Sequence, residues 1–81
     1  MNHNIPKYPR IRNLREDKEL SQKDIATYLN VKPNTYSRYE TGTSNISVDA
    51  MGLLADFHST SVDYLMGRTD DPVPYPPKRM K

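Results

Sequence analysis

The sequence predicts an all-α domain, a compact five-helix bundle, and three observations predict it. Apolar residues recur at helical spacing: Ile11 and Leu14; Ile25, Ala26 and Leu29; Tyr36 and Tyr39; Val48, Met51, Leu54 and Ala55; Val62 and Leu65. Good helix starts precede these runs, with Ser21, Ser47 and Ser61 as N-caps and Pro9 and Pro33 placed to open a helix at N1. Residues that tolerate a left-handed backbone follow them, namely Asn30, Gly42 and Gly67.

The first helix is expected from Pro9 to about Lys18, with Ile11 and Leu14 inward and Leu20 just beyond its end. Arg10, Arg12, Arg15 and Lys18 make it basic, and one or two of these could meet a phosphate. The second helix starts at Ser21, and Asp24 three residues later makes a near relative of the capping box. Asn30 stops it and Val31 plugs the corner. Lys32 precedes a proline and is therefore pushed out of the α region, so a third helix opens at Pro33 and runs to Gly42. Two short helices joined so tightly must cross steeply, which is a helix-turn-helix. The fourth helix follows Ser47, with Asp49 in its first turn and Val48, Met51, Leu54, Ala55 and His58 on one side. Gly52 in its interior suggests a close helix crossing. Ser61 caps the short fifth helix, Val62 to Met66, which Gly67 ends. The expected organisation is an irregular arm over 1–8, the folded domain over 9–67, and a Pro-rich basic tail over 68–81.

Eighty-one residues suffice for one small domain. The absence of cysteine removes disulfides and thiolate metal sites and fits a reducing setting. No run has the length of a membrane helix and the start lacks the apolar core of a signal peptide, so the expectation is a cytoplasmic protein, nucleoid-associated when bound to DNA. The net charge is only +2, but it is unevenly placed. Residues 1–42 hold eight Lys/Arg against five Asp/Glu, whereas 43–71 hold one arginine against five aspartates. One face is thus expected to meet a polyanion. His3 and His58 stand far apart with no cysteine beside them, so no metal or other cofactor is expected, and no nucleophile with a base and oxyanion hole is evident.

The run IRNLREDKELSQKDIATYLNVKPNTYSRYETG, followed by SVDAMGLLADFHSTSVDYLMG, resembles the Xre-like helix-turn-helix family of phage repressors and Cro proteins. The features that carry the resemblance are LSQ before the second helix, the Ala26–Asn30–Val31 turn, SRYETG closing the third helix and SVDYLMG closing the domain. It covers about residues 10–67. It implies a domain of the phage-repressor type that binds operator double-stranded DNA, usually as a homodimer on a two-fold symmetric site. Position by position, it implies that Gln22 grips a phosphate, that Pro33, Asn34 and Arg38 stand where relatives touch base edges, and that Arg15 and Glu40 form an ion pair.

The chemistry agrees. Asn34 suits adenine N6/N7 and Arg38 suits guanine O6/N7, each worth about 1–3 kcal/mol of discrimination. Thr35 and Ser37 flank them, and Lys32 lies beside helix N-termini able to take phosphate. Thr43 and Ser44 complete the candidate DNA-contacting set. Several positions depart from the family. Pro33 replaces a base-reading Gln or Ser, Tyr36 replaces an aliphatic wedge, Asn30 replaces the turn glycine, and the loop over 43–45 lacks the usual cation. Weak non-specific binding with a shallow salt slope is therefore expected. Tyr36 and Tyr39 are read as core. A different class remains open: an antitoxin-like or anti-repressor module whose main ligand is a protein partner, favoured by the acidic second half and the proline-rich tail. Helix five with the tail is the expected dimer contact.

Overall fold

The computed structural model describes residues 6–74. Five helices follow one another: α1 (Pro9–Asp17), α2 (Gln22–Leu29), α3 (Pro33–Thr41), α4 (Val48–Phe57) and α5 (Val62–Leu65). The starts lie where local chemistry puts them. Pro9 and Pro33 occupy the first turns of α1 and α3. The Ser21, Ser47 and Ser61 hydroxyls accept from the backbone N–H of Asp24, Ala50 and Tyr64. Each such cap contributes about 1 kcal/mol.

The helix ends share one device. After each helix a residue of positive φ turns the chain, at Glu19 (57°), Asn30 (60°), Gly42 (83°), Ser59 (52°) and Gly67 (79°). In each case the next residue's N–H bonds back to the carbonyl five positions earlier: Leu20 to Arg15, Val31 to Ala26, Thr43 to Arg38, Thr60 to Ala55 and Arg68 to Asp63. These are Schellman-type ends, which use carbonyls the helix would otherwise leave unpaired. Two of the five carry glycine.

Ile11, Ile25, Tyr36, Leu54 and Leu65 are the largest fully buried side chains, so every helix sends one residue into a shared core. Leu14, Leu20, Val31, Phe57 and Val62 pack around it. α2 packs chiefly on α3, while α5 bridges α4 and α1.

The structure corrects two expectations, at Val48 and at Gly52. Val48 is 88% exposed, because at the first position of α4 its side chain projects beyond the core. His58 is buried, with both ring nitrogens lacking a hydrogen-bond partner among the described residues. Gly52 sits at no close crossing, since a Cβ there would meet nothing within 4 Å. Just beyond Gly67 the chain is strapped to the body as far as Pro72. Arg10 on α1 donates to the Tyr64 and Thr69 carbonyls (2.8 and 2.6 Å) and to Asp70 (2.8 Å). Its guanidinium lies 4.0 Å from the centre of the Tyr64 ring. Thr60 adds a 2.6 Å bond to the Pro72 carbonyl. The expected arm over residues 1–5 and the tail over 75–81 lie outside the described residues.

Candidate nucleic-acid interface

The helix-turn-helix is built from the residues that predicted it. Ser21 and Asp24 form a reciprocal capping box, Ser21 Oγ accepting from Asp24 N–H (3.0 Å) and Asp24 Oδ2 accepting from Ser21 N–H (2.9 Å). That backbone bond holds the Asp24 carboxyl below its ordinary value. Asn30 takes the left-handed turn, and Lys32 is extended ahead of Pro33. Proline has no N–H to leave unpaired at that position.

α3 divides sharply into two faces. Tyr36, Tyr39 and Glu40 are buried, with the two tyrosine rings in an edge-to-face pair at 6.2 Å. Tyr36 and Tyr39 are therefore core, as their spacing indicated. Burial and the nearby Glu40 carboxylate raise the Tyr36 hydroxyl well above its usual value, and its oxygen falls short of hydrogen-bond geometry to any described residue. Pro33, Asn34, Arg38 and Thr41 are exposed, and Thr35 and Ser37 are half-buried beside them. Asn34, Arg38 and Thr41 follow the i, i+4, i+7 spacing of one helical stripe. Thr41 was absent from the sequence-derived set, although its spacing from Asn34 and Arg38 was the signal for it. Its hydroxyl lies 3.3 Å from the Arg38 carbonyl and 3.1 Å from Thr43 Oγ1. Thr43 is exposed and Ser44 half-buried. Neither Arg38 nor Lys32 takes part in an ion pair among the described residues. Both cations thus remain available to an anion from outside. By contrast, Arg10 and Arg12 of the basic first helix are engaged by Asp70 and Glu16.

Behind this face lies the ion pair. Arg15 Nε meets Glu40 Oε2 at 2.6 Å and Arg15 Nη2 meets Oε1 at 3.1 Å, a bidentate fork. Arg15 Nη1 also donates to the Leu20 carbonyl at 2.7 Å. The side chains are 12% and 2% exposed, so the pair is buried and breaking one side costs roughly 3–5 kcal/mol. Burial alone would raise the Glu40 carboxyl, but the donors led by Arg15 outweigh it and hold Glu40 below its ordinary value. The bond to Glu40 raises Arg15 in turn. Gln22, at the first position of α2, is half-buried and donates from Nε2 to Glu40 Oε1 at 2.9 Å. Sequence reasoning placed Gln22 at the helix start but missed this bond, because the two residues are 18 positions apart.

This chain belongs to the helix-turn-helix family: the family's model matches residues 11–65, nearly the whole described body. Its type is that of Xre and Cro. It is 34% identical over 65 residues to an uncharacterized HTH-type transcriptional regulator, YobD, of Bacillus subtilis, covering 80% of this chain and 58% of that protein. It is 37% identical over 59 residues to the HTH-type transcriptional regulator AnsR of the same organism, covering 73% of this chain and 51% of that protein. A third relative is the cryptic phage CTXphi transcriptional repressor RstR of Vibrio cholerae, 31% identical over 61 residues, covering 75% and 55%. The chain thus spans between 51% and 58% of the length of these relatives. No solved structure matches it. No described helix is long and apolar enough to cross a membrane.

Proposed function

We propose that the protein is a sequence-specific double-stranded DNA-binding repressor of the cytoplasm that lays α3 into the major groove of each operator half-site as a homodimer. One observation carries this reading: Asn34 and Arg38 stand exposed and unspent on one stripe of a helix whose other face is locked into the core by Tyr36, Tyr39 and Glu40. A rigid helix presenting an amide and a guanidinium is what base-edge readout needs. Lys32, Thr35, Ser37, Thr43 and Ser44 supply the surrounding phosphate and sugar contacts, Gln22 a phosphate contact from α2, and Pro33 only shape. With so few cations on this face, phosphate contacts are few and the salt slope is shallow.

Dimerisation uses the apolar groove of about 260 Å³ lined by Tyr8, Ile46, Val48, Met51, Val62 and Met66. Val48 and Met66 on its rim are 88% and 37% exposed. A two-fold pair would need half-sites about 34 Å apart or a multiple of that. The same groove favours the second reading, a module whose main ligand is another protein.

Competition binding against random duplexes at two salt concentrations tests the proposal. A selected duplex should outcompete random DNA by orders of magnitude, and Arg38→Ala should relax preference at one or two base positions. Equal affinity for every duplex refutes sequence readout. A tight stoichiometric complex with another protein, together with no retention on heparin, would establish the second reading instead.

A further inference from the structure

We propose that Glu40 is a positioning residue for DNA binding: it presets the amide of Gln22 as a phosphate donor. The inference rests on the DNA-binding reading above. It starts from the bond between Gln22 Nε2 and Glu40 Oε1 at 2.9 Å, which joins the first residue of α2 to the penultimate residue of α3.

A glutamine amide carries two N–H donors on one side and an acceptor oxygen on the other, and left alone it can flip. A phosphate can only accept, so Gln22 serves it only with nitrogen to spare. An ionised carboxylate is also acceptor-only, and its presence beside the amide forces the nitrogen toward it. Glu40 thereby removes the flip. One Nε2 hydrogen is spent on the carboxylate, and the second has no partner among the described residues.

The carboxylate is itself held. Arg15 grips both of its oxygens, at 2.6 and 3.1 Å, and anchors its own remaining nitrogen on the Leu20 carbonyl at 2.7 Å. The chain of contacts therefore runs from α1 through Glu40 to Gln22 and fixes a long side chain before DNA arrives. Side chains ordered in advance lose less freedom on binding. The Arg15 fork also compensates the Glu40 charge, and the carboxylate is 2% exposed. A phosphate at Gln22 thus meets an amide dipole rather than a bare anion. Pro33 strengthens the case, because it offers no hydrogen-bonding side chain from the start of α3 with which Gln22 could pair instead.

The rival account treats Glu40 as a negative charge near a polyanion. It requires Glu40→Gln to tighten DNA binding and steepen its salt dependence, and it requires the effect of Gln22 to be independent. The two accounts separate in a double-mutant cycle of Gln22→Ala and Glu40→Gln, read as the dissociation constant for a selected duplex under conditions where circular dichroism shows every variant folded. Positioning requires Gln22→Ala to weaken binding about tenfold in the native background and less than about twofold in the Glu40→Gln background. The same tenfold loss in both backgrounds overturns positioning while leaving the phosphate contact intact. No loss in the native background overturns both of those and leaves readout by Arg38 standing. Failure of the native protein to retain any duplex refutes the DNA-binding reading and this inference together. If the Glu40→Gln chain does not fold, Glu40→Asp, which keeps the charge but withdraws it by one methylene, takes its place under the same criterion.

Discussion

His58 makes the stability of this domain depend on pH, and the size of the effect follows from its surroundings. The imidazole follows α4, is 6% exposed and stacks edge-to-face on Phe57 at 5.1 Å, with neither ring nitrogen hydrogen-bonded among the described residues. Burial first, and the Lys18 ammonium second, push it down from 6.5 to about 4. The folded protein therefore holds His58 neutral where the unfolded chain would protonate it. As pH falls below 6.5 the unfolded state gains a proton that the folded state refuses, so stability declines until about pH 4, below which both states carry the proton. At about 1.4 kcal/mol per pH unit the whole interval is worth ~3 kcal/mol, of which ~2 kcal/mol is lost by pH 5. That is a large fraction of the stability of a small domain. Urea unfolding of the native chain and of His58→Leu between pH 7.5 and 4.5 measures it. Carboxylates titrate alike in both chains, so the difference between the two curves isolates His58. The native protein should lose ~2 kcal/mol more than the variant on going to pH 5. Parallel curves, or an imidazole resonance in the folded protein that titrates near 6.5, would refute the reasoning.

Two substitutions should stabilise the fold by correcting its backbone. Gly52→Ala places a methyl where nothing lies within 4 Å in a helix interior, and should add about 0.5–1 kcal/mol to the unfolding free energy. Ser59→Gly relieves a non-glycine residue at φ 52° and should add up to about 1 kcal/mol; a lowered midpoint in chemical denaturation would count against either argument. Arg10→Met removes the donors that tie α1 to Tyr64, Thr69 and Asp70 while keeping the aliphatic length. It should raise hydrogen exchange at residues 68–73 well before it affects the centres of α2 and α3, and uniform change across the chain would deny the strap a separate identity.

How far the sequence could be read depended on the range of each interaction. Ser21, Ser47 and Ser61 revealed themselves as caps because the partner N–H lies three residues away. Asn30, Gly42 and Gly67 revealed their turns because asparagine and glycine are the residues that best tolerate positive φ. Glu19 and Ser59 adopt the same conformation without such a signal, because the packing of α1 and α4 sets where those helices stop. Periodicity placed Val48 on the inner stripe of α4 but could not register that the core reaches that helix only from Ala50 onward. Arg10 read only as one of four cations on the first helix, of which one or two could meet a phosphate. Its true partners are 54 to 60 positions away, beyond the reach of any local pattern.

At the interface, the sequence determined the helix-turn-helix itself, the core role of Tyr36 and Tyr39, and the pairing of Asn34 with Arg38 on one stripe. Each follows from helical geometry over less than three turns. Only the tertiary structure decided that Gln22 is tethered to Glu40, that His58 is sealed without a partner, and that the chain beyond Gly67 is strapped to α1. Those outcomes depend on which side chains meet once the helices have packed, and helix packing is settled by the shape of the whole core.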